Sequence, residues 1–149
     1  MNLVKTIEQF DNNNIFFCEP IKNNIMNDGN FIRIIYSNNK VTLNGVFLLI
    51  SLNNITVDKQ FNKMKCFFNV DTYKKLINDI KIIEENILSK INIPNKIPQF
   101  KLYEQMNNGS IKFFCDTIPK INCSFILKIS GVWETVNQFG LTYKFTKIN

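Results

Sequence analysis

The residues with the clearest chemical pattern are Phe61, Lys63, Lys65 and Phe67, which alternate with Met64, Cys66, Phe68 and Val70. In a strand, successive side chains point to opposite sides, so the lysines and two rings share one face and the apolar set the other. Ammonium groups neutralise phosphates, and rings stack on unpaired bases at roughly 1–3 kcal/mol each, so such a face suits single-stranded nucleic acid. The plainer alternative is a solvated lysine face whose rings cover an apolar edge. The same alternation sets Arg33 against Ile32, Ile34 and Tyr36, and Lys112 with Phe114 against Ile111, Phe113 and Cys115. It sets Lys128 against Phe125, Leu127 and Ile129, and Lys144 against Leu141, Tyr143 and Phe145. Arg33 is the sole arginine of the chain. Its planar guanidinium suits bidentate phosphate contact or stacking, with a structural salt bridge as the ordinary alternative.

Other chemistries have little to work with. The chain has no histidine, which removes the commonest general base and the commonest metal ligand. Carboxylate pairs such as Glu84 with Glu85, or Asp116 with Glu134, come with no glycine-rich phosphate loop. Four cysteines (Cys18, Cys66, Cys115, Cys123) lack metal-ligand spacing, and Cys66 and Cys115 sit in apolar runs that predict buried free thiols. The expectation is a protein that is not an enzyme and uses no cofactor or metal.

Composition tempers every Asn and Lys. Of 149 residues, 24 are Asn, 23 Ile and 17 Lys, whereas Ala is absent and Gly and Pro number 5 and 4. An A/T-rich genome explains that balance without any selection for function. The formal charge of +6 is compatible with a polyanionic partner but also follows from lysine-rich coding. With no signal-peptide pattern and no apolar run long enough to span a bilayer, an intracellular, cytoplasmic protein without membrane contact is expected.

The elements that must carry these residues are mostly strands. Runs 31–37 and 41–51 read as a hairpin with Gly45 at a sharp bend, and 61–70 as a third strand. Apolar residues Tyr73, Leu76, Ile77, Ile80, Ile83, Ile87 and Ile91 recur at helical spacing, which predicts one long helix with Asp71 as N-cap and Pro94 beyond its end. Segments 99–105 and 110–116 read as a strand pair turning at Asn107-Asn108-Gly109, followed by strands over 123–135 and 141–148. Alternation turns Trp133 and Tyr143 inward, Tyr143 toward the core and Trp133 either into it or at the barrel mouth. Phe139 reads as a loop-tip ring. Three antiparallel strands, a helix, then further strands is the order of an OB-fold-like antiparallel β-barrel, with the helix between the third and fourth strands. Residues 1–29 form an N-terminal extension or extra strand, and 30–149 the barrel.

Residues Gly131, Val132, Trp133, Gly140, Leu141 and Tyr143 form a pattern of Gly-apolar-Trp, turn, Gly and strand. In it the chain resembles OB-fold single-stranded DNA-binding proteins of large DNA viruses and related cytoplasmic linear DNA elements, such as yeast linear plasmids. The resemblance implies coating and protection of single strands during replication, without sequence preference. The residues expected to bind nucleic acid are Arg33, Phe61, Lys63, Lys65, Phe67, Lys112, Phe114, Lys128, Trp133 and Lys144. Expected partners are single-stranded DNA or RNA, with a second copy or replication proteins as further candidates. The competing expectation is a protein-interaction β-barrel module of a replication or transcription complex.

Overall fold

The computed structural model describes residues 3–22, 29–61, 63–114 and 122–148, the side chains of residues 60 and 114 apart. It is mostly β, with two helices and a curled, half-barrel sheet.

The centre of the sheet is β10 (Cys123–Glu134), whose burial alternates residue by residue from Cys123 to Ser130 as half-buried antiparallel pairing demands. On one side it forms a hairpin with β11 (Gln138–Ile148). On the other side, β5 (Val46–Leu52) pairs with its first half and β3 (Asn30–Ser37) with its second. Gly45 makes this possible: at φ +124 it breaks the chain between β4 (Thr42–Leu43), which stays on β3, and β5, which moves to β10. The expected bend is therefore present, but the expected hairpin divides there. Two short strands from the N-terminal segment, β1 (Ile15–Phe17) and β2 (Ile21–Lys22), add to β3. β8 (Ile97–Gln99) adds in parallel to β11.

A second sheet holds β6 (Thr56–Gln60), β7 (Lys63–Phe67) and β9 (Ser110–Phe114) in that order. Its inner residues Met64, Cys66, Ile111 and Phe113 share a core with Phe125, Leu127 and Ile129 of β10, and the Phe113 and Phe125 rings meet edge-on at 5.1 Å. β9 also runs close beside β11.

Helix α1 (Lys74–Ile91) covers this core with Ile77, Ile80, Ile83 and Ile87 of the stripe that the spacing predicts, and with Leu88, which that stripe does not include. Its start differs from expectation. Residues 70–73 form a turn in which the Tyr73 amide donates to Val70 O, so Tyr73 takes the N-cap position and Asp71 stays exposed, 3.6 Å from Lys74. Asn92 ends the helix in the left-handed conformation at φ +45.

Segment 99–105 is not a strand. Lys101–Asn107 forms a second helix, α2, because Glu84 of α1 caps its first turn. The Leu102 and Tyr103 amides donate to the two Glu84 carboxylate oxygens at 3.1 and 2.8 Å. Gly109 at φ +76 then closes α2, and β9 pairs with β7 instead of folding back on 99–105.

Candidate nucleic-acid interface

The strand register sorts the expected site residues into two groups. On the large sheet, Arg33 lies opposite Gly131, Lys128 opposite Lys144, and Trp133 opposite both Phe31 and Gly140. Directly opposed residues share a face, so these side chains all project from the side away from the core. Phe47 joins them: it pairs with Lys128, whose ammonium lies 5.5 Å from its ring centroid. Arg33 Nη1 donates to Asn44 Oδ1 at 2.9 Å, beside Gly45 and the Lys128 stem. Among the described residues no carboxylate pairs with Arg33, Lys128 or Lys144.

Trp133 is turned outward, contrary to the alternation read from sequence. An extra residue, Ser130, lies between the pairs Ile129–Tyr143 and Gly131–Thr142. This β-bulge reverses the phase, so Val132 is buried and Trp133 is half-buried on the outer face. Two glycines receive the rings. A Cβ on Gly140 would lie 2.7 Å from the Trp133 ring, and one on Gly131 would lie 2.6 Å from Phe31. Each ring thus lies against bare backbone, which explains the glycines of the Gly-x-Trp pattern in steric terms. Tyr143 faces inward as expected, half-buried, and donates through its hydroxyl to Gln105 Oε1 at 2.6 Å. Phe139 is no loop tip. β11 begins at Gln138, and the parallel pairing of Phe139 with Pro98 of β8 leaves its ring buried.

On the small sheet, Lys63, Lys65, Phe67 and Lys112 share the outer face, as the alternation requires. Lys65 stands opposite Lys112 across one ladder and Asp58 across the other, and its ammonium lies 5.2 Å from the Phe67 ring. Lys63, Lys65 and Lys112 line a shallow depression together with Met64. Phe61 belongs to the turn rather than the strand face, because Gln60 already pairs with Lys63. The backbone of Phe114 pairs with Lys63, and its side chain lies outside the described residues, as do Cys115 and Asp116.

The expected residues therefore do not line one concavity. Arg33, Lys128, Trp133 and Lys144 occupy the outer face of the large sheet, and Lys63, Lys65, Phe67 and Lys112 that of the small one; the two sheets meet where β9 runs beside β11. Phe31 and Phe47 enter the candidate surface although neither is among the expected residues. Both occupy outward strand positions in the sequence, but their proximity to Trp133 and Lys128 depends on a register that no local pattern encodes.

Glu84, Glu85 and Glu134 each meet partners within the chain. Glu84 is fully buried as the α2 cap, and burial pushes its carboxyl up to about 7 against the opposing pull of the Tyr103 and Leu102 amides. Glu85 faces Lys81 at 3.9 Å. Glu134 is held below the usual carboxylate range chiefly by its hydrogen bond from Lys96 at 2.8 Å, then by one from Asn30. Burial, with Cys123 nearby, pushes the Cys66 thiol up to about 12, the state of an inert structural cysteine. No helix among the described residues is long and apolar enough to cross a membrane. Comparison with protein-family models, curated proteins and solved structures finds no match for the chain.

Proposed function

We propose that this protein binds single-stranded DNA without sequence preference on the outer face of the β10-centred sheet, as a non-enzymatic coating protein. The observation that carries the reading is the direct opposition of Lys128 and Lys144, neither of which pairs with a carboxylate among the described residues. Like charges directly opposed across a ladder are unfavourable, and a polyanion is the ligand that relieves them. Arg33 extends the cationic track, and Phe31 and Trp133 supply adjoining ring surfaces for bases. Lys63, Lys65, Lys112 and Phe67 offer a second track beyond the β9–β11 seam. Phosphate contact and stacking tolerate any base, hence the lack of sequence preference.

An OB-type barrel is the architecture we assign to this surface. Its supports are the β6–β7 hairpin followed by α1, the closing β10–β11 hairpin and the pairing of β5 with β10. β9 is then an addition beside β11.

Titration with poly-dT, followed by Trp133 fluorescence at low and high salt, tests the reading. Quenching that salt reverses is expected, with log affinity falling by roughly 0.7 per neutralised phosphate for each decade of salt. Absence of binding at low salt overturns it, and capture of a protein partner unaffected by Lys128→Glu would then favour an interaction module. A parallel poly-U titration shows whether 2′-hydroxyls matter.

A further inference from the structure

The β6–β7 turn sets an aromatic ring where packing gives no reason for one. Phe61 is 96 % exposed and adopts φ +57, a left-handed conformation that Asn or Gly accepts far more readily than a bulky residue. Exposure and backbone strain in the same residue, at the apex of a hairpin, indicate a side chain kept for what it touches outside the chain.

The cations around the apex are distributed in an informative way. Lys59 pairs with Met64 and so belongs to the core-facing side of the hairpin, yet Lys59 is exposed while Met64 is buried in the core. Lys63 and Lys65 project from the opposite side, with Lys112 beside Lys65 on β9. A continuous single strand passing over a ring requires one row of cations, on the side its backbone follows. Ammonium groups on both sides of a protruding ring suit two backbones that part from each other, which is the geometry where a duplex opens into single strands.

We infer that Phe61, at the β6–β7 apex between Lys59 on one side and Lys63 on the other, stacks on the last base pair of a single-strand–double-strand junction. This rests on single-strand binding by the large sheet, which holds the unpaired tail while the hairpin meets the duplex end.

The test compares fluorescence anisotropy of a tailed duplex, the tail oligonucleotide alone and a blunt duplex, with the intact protein and with Phe61→Ala. Being exposed, Phe61 can be truncated without loss of the core. The intact protein is expected to bind the tailed duplex about tenfold more tightly than the tail, the worth of one stacked base. Phe61→Ala is expected to abolish that preference and leave tail affinity unchanged. Equal affinity of the intact protein for tail and tailed duplex overturns the inference, as does a preference that survives Phe61→Ala. Failure to bind the tail at all sinks the sheet-face reading, and the junction inference with it.

Discussion

Lys128 of β10 stands directly opposite Lys144 of β11, and neither has a carboxylate partner among the described residues. Opposed like charges in a ladder cost roughly 0.2–1 kcal/mol. Lys144→Glu turns this repulsion into an attraction, so it should raise the melting temperature of the free protein. The same substitution should weaken DNA binding and flatten its salt dependence. Thermal unfolding and anisotropy on one sample check both directions, and a parallel change in the two would argue against a ligand-driven surface.

Gly140 is the floor on which the Trp133 ring rests. Gly140→Ala would put a methyl 2.7 Å from that ring, so the indole must tilt away. A loss of about 1–3 kcal/mol is expected from overpacking. A shifted Trp133 emission maximum and weaker quenching by poly-dT should accompany it. Unchanged emission would mean that the ring does not lie on Gly140.

Glu84 makes stability pH-dependent. Its carboxyl titrates near 7 in the folded chain and near 4.5 when unfolded, so the folded state holds the proton more tightly. The contribution is full below about pH 4.5 and is lost as pH rises through about 7. At 1.36 kcal/mol per unit this amounts to a loss on the order of 3 kcal/mol. Glu84→Gln should remove that slope in denaturant melts from pH 4 to 8. It should also destabilise modestly, by about 1 kcal/mol, because an amide offers a single acceptor oxygen to the two α2 amides.

Phe61→Asn should stabilise the free protein by about 1 kcal/mol, since Asn enters the left-handed region at lower cost. Urea midpoints with an unchanged slope would measure this. A destabilised variant would show that the ring packs on the chain after all.

Thiol labelling of the native protein should modify Cys18, which is exposed, and spare Cys66 and Cys123, which are buried. Peptide mapping after a short alkylation pulse resolves the three sites. Rapid reaction at Cys66 would contradict its place in the core.

Local pattern alone determined a good deal here. The inward set Ile32, Ile34 and Tyr36, the lysine faces of β7 and β9, and the buried stripe of α1 all follow from period-two or helical spacing, because burial of one face imposes that spacing. The bend at Gly45 and the left-handed Gly109 were equally legible, since glycine marks conformations closed to other residues. What lay beyond reach depended on distant partners. Residues 101–107 became α2 because Glu84, far away in sequence, satisfies its first-turn amides. Trp133 faces outward because one extra residue at Ser130 reverses the alternation, and a bulge is decided by the pairing of two strands. The site residues were recognisable one strand at a time, but their division between two sheets was set by β10 choosing β3, β5 and β11 as neighbours. Side-chain type dictates which face a residue prefers, and only the register of hydrogen-bonded strands dictates which residues from elsewhere meet it there.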